Sequence, residues 1–192
     1  MINNIESIKE IYGRVVYSHA IQEQAVQRLM KKIKFFKVTQ VTLLSITSVG
    51  VVSAFSDALN PILKHNPNLN IVINTITLII TLLATGLSIY DFSSSNDDDL
   101  NAHKTASFQL LVLRDKLLLL LIDQKDGLLG DVAIIQQRDE LISKLNDVYE
   151  NAPKTIYTDF KKARKALKDT EDYTFDPGEI ERLLPHTLRN SQ

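Results

Sequence analysis

Few residues in this chain are placed to do chemistry. His19 and Glu23 stand one helical turn apart, a spacing that offers two ligands to a metal ion. Two ligands do not close a site, and no H-E-x-x-H spacing accompanies them. A surface or capping pair is the simpler reading. His65, His103 and His186 are scattered, and the absence of cysteine excludes thiolate nucleophiles, cysteine-based zinc sites and disulfides. No Gly-rich phosphate loop or G-x-S-x-G elbow is present. Asp97, Asp98 and Asp99 suggest a cation cluster, but carboxylates at a helix start explain them at less cost. With no convergent acid, base and nucleophile, the expectation is a protein that is not an enzyme and uses no metal or cofactor.

A second polar pattern is more informative. Asn70, Asn74, Thr77, Thr81, Thr85 and Ser88 recur at spacings of four, three, four, four and three, which puts them on one stripe of a helix otherwise made of Ile, Leu and Val. Upstream, Thr42, Ser45, Ser53 and Ser56 align more loosely, with Val49 interrupting the row. In hydrocarbon such stripes have two explanations. Small hydroxyl residues let helices approach and hydrogen-bond. Alternatively, stripes from several copies line a water-filled pore. Either way an amide at the depth of Asn74 faces protein or water and not lipid.

The elements carrying these stripes are free of charge. Val38–Ser56 and Leu69–Tyr90 contain no Asp, Glu, Lys, Arg or His. At 1.5 Å per residue they are about 28 and 33 Å long, against a hydrocarbon core of about 30 Å. Only Asp57, Lys64 and His65 carry ionisable groups between Val38 and Tyr90, while the flanks are richly charged. The competing reading is a soluble protein with two buried central helices. A soluble helix of such length carries a charged face, and neither segment has one. The first segment is the weaker, with seven Ser/Thr and Gln40. The apolar runs begin too late for a secretory signal, so Met1 is expected to be the mature start; Ile2 stands where myristoylation needs Gly.

Lys31, Lys32, Lys34 and Lys37 precede the first span, against Lys64 and His65 in a short loop containing Asn60-Pro61 and Asn66-Pro67. The positive-inside rule places those four lysines, and therefore both termini, in the cytoplasm. Ile5, Ile8, Ile11, Val15, Ala25, Val26 and Leu29 predict an amphipathic N-terminal helix. After the second span, Ser93-Ser94-Ser95-Asn96 predicts a break. A helix over about 98–124 follows, with a face of Leu100, His103, Ser107, Leu110, Leu111, Arg114, Leu117, Leu118 and Leu121. Gly127 and Gly130 mark a turn, Asp131 is the expected N-cap of a helix to Glu150, and Pro153 ends it. A basic helix over about 158–168 carries Lys161, Lys162, Arg164, Lys165 and Lys168. Without interleaved aromatics it reads as a solvated face or as attraction to anionic lipid, and nucleic acid is not an expected partner. Together with the four lysines before the first span, it is also a candidate pocket for a phosphate-bearing ligand. A helical turn at 179–184 is expected in the tail.

The amphipathic N-terminal helix with Tyr17-Ser18-His19, the Lys-rich approach and two spans on a short loop resemble the bacterial SLATT family. So do the long helix near Asn101-Ala102-His103, the string Gln137-Arg138-Asp139-Glu140-Leu141 and the string Tyr149-Glu150-Asn151-Ala152-Pro153. The resemblance covers about residues 5–170. These are two-transmembrane effectors encoded beside nucleotide-signalling proteins in anti-phage and conflict systems. The resemblance implies a membrane-perturbing, pore-forming effector that oligomerises and opens on a signal, depolarising the host. No ligand-contact residue is carried over.

The reading is an all-α inner-membrane protein: residues 1–37 an N-terminal cytosolic helix, 38–57 the first span, 58–68 an external loop, 69–90 the second span, 91–170 a cytosolic helical region and 171–192 a tail. The leading function is a regulated homo-oligomeric pore. Asn74, Thr77, Thr81, Thr85 and Ser88 would line it, and Asp91, Asp97, Asp98 and Asp99 would gather cations at its inner mouth. Expected partners are the bilayer, further copies of the chain, and a nucleotide second messenger or signalling protein acting on the cytosolic helices. The rival is a membrane anchor that recruits a partner through its C-terminal helices.

Overall fold

The computed structural model describes residues 4–48, 67–171 and Glu179. Among the described residues the chain is all-helical, with five helices and no strand. The helices are α1 (Asn4–Thr47), α2 (Pro67–Ser93), α3 (Asn96–Lys125), α4 (Asp131–Asn151) and α5 (Tyr157–Lys168). The end of the predicted first span, most of the predicted loop and most of the tail lie outside the described residues, Ser53 and Ser56 among them.

Helix α1 runs through the predicted junction at residues 37 and 38 without a break. Nothing there would end it: the segment has no proline, and its one glycine, Gly13, lies far upstream. Helix α2 starts at Pro67, two residues inside the predicted loop, because proline costs nothing at a first helical position, where no N–H is needed. The predicted break after the second span is confined to Ser94 and Ser95, with Asn96 opening α3.

The chain divides into two compact units, one of Met1–Val26 with Ala102–Gln192 and the other of Gln27–Asn101. In the first unit Ile8, Ile11 and Val15 of α1 pack with Leu110, Leu113, Leu117 and Leu120 of α3 and Ile134, Leu141, Leu145 and Val148 of α4. Two bonds fix the direction of α4. Ser18 Oγ and Tyr149 Oη lie 3.0 Å apart, and Gln22 Nε2 donates to the Pro153 carbonyl at 3.4 Å. Both pairs are separated by 131 residues, so α4 runs parallel to α1.

The buried face of α3 is His103, Ala106, Ser107, Leu110, Leu113, Leu117 and Leu120. It is rotated slightly from the predicted one: Leu118 is 42% exposed, while Leu113 and Leu120, absent from the predicted face, are 5% and 2% exposed. The run Leu117–Ile122 is apolar all round, so its sequence does not say which side turns inward. Helix α3 ends in a Schellman turn. Gly127 sits at φ +66°, and Leu128 N–H reaches back to the Asp123 carbonyl at 2.9 Å. Asp131 is the first residue of α4 and not its cap; Gly130 holds that position, with an extended backbone and no side-chain cap bond.

In the second unit α1 and α2 form an antiparallel pair. Lys32 Nζ donates to Asn96 Oδ1 at 2.9 Å, the Phe36 and Tyr90 rings lie 5.3 Å apart, and Gln40 Nε2 donates to Ser88 Oγ at 2.9 Å. As the residue number rises along α1 it falls along its contact partners, so the two helices run antiparallel.

Candidate functional site

Helix α2 buries almost nothing within the chain. Its segment Ile71–Ser93, 23 residues, is long and apolar enough to cross a membrane, and only 6% of that apolar stretch is buried. A core helix of a soluble protein would be mostly covered. Instead Ile71, Val72, Ile76, Leu78, Ile79, Leu82, Leu83 and Ile89 are all more than half exposed. Among the described residues this is the one helix that meets the length and composition required of a span. On α1, Val38, Val41, Leu44 and Ile46 are exposed in the same way up to the end of the helix.

The structure sorts the predicted polar stripe into two sets. Ile73, Thr77, Ile80, Leu87 and Ser88 are partly buried and Ala84 is buried, and Gln40 of α1 meets this strip. Asn74, Thr81 and Thr85 lie beside it and are exposed. Thr77, Thr81, Thr85 and Ser88 each donate their hydroxyl proton to the carbonyl four residues back, at 2.8–3.0 Å. This back-bonding keeps a hydroxyl satisfied in hydrocarbon, and it leaves the oxygen able only to accept further bonds. The side chain of Asn70 lies outside the described residues.

The predicted cation mouth is partly neutralised. Asp97 stands 3.6 Å from Lys37, and Asp99 Oδ2 accepts a bond from Ser95 Oγ at 3.3 Å. Asp98 is exposed and Asp91 half-buried. Lys32, Lys37, Phe36, Tyr90, Asn96 and Asp97 thus gather at one end of the α1–α2 pair. Charged groups beside aromatic rings are what the edge of a bilayer selects. Asn96, 9% exposed, anchors the corner by donating to Ser94 Oγ at 2.7 Å.

The first unit carries a polar seam that sequence reading only grazed. His19, Gln22, His103 and Ser107 are all at most 7% exposed. His103 Nδ1 meets Gln22 Oε1, and Ser107 Oγ donates to Glu23 Oε1, each at 2.5 Å. His19 and Glu23 are therefore not a surface pair. Burial lowers the His19 pKa below its ordinary value; the Glu23 carboxylate opposes that effect, Arg114 adds to it and Asp115 opposes it. Among the described residues no group of three or more His, Asp or Glu is placed to hold a metal ion. His103 and Ser107 were visible as polar positions on an apolar face. Gln22 had no sequence signal, since only the fold brings it to His103.

Helices α3 and α4 also leave an open groove of about 660 Å³, lined by Phe108, Val112, Leu113, Lys116, Lys144 and Val148 among others. Its walls are largely apolar, with lysines at the rim.

No curated protein and no solved structure matches the chain. A family profile does, over residues 5–179, and it is described as SMODS and SLOG-associating 2TM effector domain family 4. That match and the exposed apolar helix α2 mark a membrane protein. The chain belongs to SMODS and SLOG-associating 2TM effector domain family 4, the SLATT family's fourth group, whose name describes a two-transmembrane effector domain.

Proposed function

We propose that the chain is the subunit of a regulated, cation-conducting homo-oligomeric pore that depolarises the host membrane. The observation that carries this reading is the exposed polar edge of α2. Asn74, Thr81 and Thr85 stand outward on a helix whose other outward residues from Ile71 to Ile89 are Ile, Leu and Val, apart from Thr75 and Gly86 on another side. Back-bonded threonines tolerate lipid, but their remaining acceptor oxygens gain partners from water or from further copies, and two helices alone cannot enclose a channel. Thr81 and Thr85 present only acceptor lone pairs, because their protons go to the backbone. Acceptors suit a cation shedding its hydration shell, and Asp91, Asp98 and Asp99 would concentrate cations at the mouth.

In this reading both hydrophobic segments span the inner membrane, with both termini cytoplasmic. The exposed Val38, Val41, Leu44 and Ile46 of α1 support the first span. The chain needs no catalytic chemistry. The family's name points to SMODS and SLOG partners, so a nucleotide second messenger or signalling protein would act on the cytosolic helices. Helices α1 and α3 each supply residues to both units and are the covalent route for that signal. A gate requires that the signal bind one of two states better.

The test is reconstitution of the whole chain in vesicles loaded with a cation-sensitive dye. Cation flux that fails when Asn74, Thr81 and Thr85 become Leu, with assembly retained, supports the pore. Flux equal in parent and variant removes this edge from the conduction path. A second reading, an anchor that recruits a partner, is favoured by the apolar groove between α3 and α4. It predicts that function survives replacement of the hydrophobic segments by an unrelated hairpin.

A further inference from the structure

Helix α5 has two faces of opposite character. Asp159, Ala163 and Ala166 are buried, at spacings of four and three. Tyr157, Lys161, Arg164, Lys165 and Lys168 follow the same period on the opposite side and are exposed, and Lys162 is exposed beside them. Asp159 is turned away from those cations, and its carboxylate accepts the Ile156 N–H at 3.2 Å. Among the described residues none of the five cations forms an ion pair. Lys165 and Lys168 suit the negative end of the helix dipole, but Lys161, Lys162 and Arg164 lie outside its last turn. Two aromatic rings complete the surface: Tyr157 is 76% exposed and Phe160 40% exposed, with centroids 6.4 Å apart.

We propose that this face of α5 is a membrane-docking surface that binds the anionic headgroups of the cytoplasmic leaflet. Unpaired lysines and arginine supply the attraction, and each basic group near an anionic surface contributes favourably. Tyr157 and Phe160 supply rings of the kind that settle at headgroup depth. Gln22 of α1 holds the Pro153 carbonyl, which fixes where α5 begins within its own unit. Docking would make the lipid composition, or anything competing for this face, an input to the cytosolic helices. The inference rests on the membrane location of the chain and not on conduction.

The natural absence of cysteine makes the test clean. Thr158→Cys, on an exposed position of α5, carries an environment-sensitive fluorophore. Leu128→Cys, on the α3–α4 turn, serves as control. The full chain is reconstituted in phosphatidylcholine vesicles with and without phosphatidylglycerol, and flotation confirms insertion. The α5 probe is expected to shift to the blue and to lose access to a soluble quencher only when phosphatidylglycerol is present, with the Leu128→Cys probe unchanged. Changing Lys161, Arg164 and Lys165 to Gln should lower the ratio of docked to undocked chain about a hundredfold. Lys161→Arg with Lys165→Arg should leave it intact, which separates charge from folding. The same emission in both vesicle types would overturn the proposal. So would a shift produced by inorganic phosphate in pure phosphatidylcholine, which would assign the face to a soluble anion. A chain that does not float at all would instead refute the membrane location.

Discussion

Gln40 of α1 gives a side-chain N–H to the hydroxyl of Ser88 in α2 at 2.9 Å, and Ser88 passes its own proton to the Ala84 carbonyl at 2.9 Å. The chain of bonds accounts for the one amide in the first charge-free segment. It also places Ser88 against α1, while Asn74, Thr81 and Thr85 stay exposed beside that contact.

Cutting this link should loosen the α1–α2 pair by a modest amount. Interhelical side-chain bonds in membranes are worth about 0.6 kcal/mol on average and reach about 1.7 kcal/mol. Gln40→Leu and Ser88→Ala, alone and combined, form a double-mutant cycle read by unfolding in detergent. A coupling of that size is expected; zero coupling would mean that the bond does not hold the two helices together.

The α3 register makes a sharper prediction for the bundle. Leu117 is 1% exposed and Leu119 58% exposed, although both stand in the same apolar run. Leu117→Ala should destabilise the first unit by about 2–5 kcal/mol, and Leu119→Ala by no more than about 0.5 kcal/mol. Thermal melts followed by circular dichroism would show it. Equal losses would put the core on a different face of α3.

That contrast shows where sequence reading stops. Charge-free length announced a membrane helix, and turn residues placed Gly127 and Ser94-Ser95 correctly, because both signals are local. The inward face of Leu117–Ile122 was hidden, since a run without a polar residue has no period to read. The polar stripe was legible as a spacing. Its division into Thr77 and Ser88 on one side and Asn74, Thr81 and Thr85 on the other depends on where α1 lies. The seam of Gln22 with His103 joins residues 81 apart and is visible only in the fold.

His19 gives the bundle a pH dependence of definite sign. Burial lowers its pKa below the ordinary 6.5, so the folded state resists a proton that the unfolded chain accepts. Stability is therefore fullest above pH 6.5 and falls as the pH drops through that value toward the lower folded pKa. Glu23, Arg114 and Asp115 surround the ring and set the depth of the effect. His19→Gln should flatten the fall in melting temperature between neutral and mildly acidic pH. A slope unchanged in that variant would assign it to other groups.

The central claim is that the exposed edge of α2 conducts. The most direct measurement is membrane potential in bacteria expressing the chain, followed with a voltage-sensitive dye under the signal that activates the system. The parent is expected to depolarise the cells. A variant with Asn74, Thr81 and Thr85 changed to Leu, matched for insertion and assembly, is expected to leave the potential intact. Equal depolarisation by the two would contradict the account.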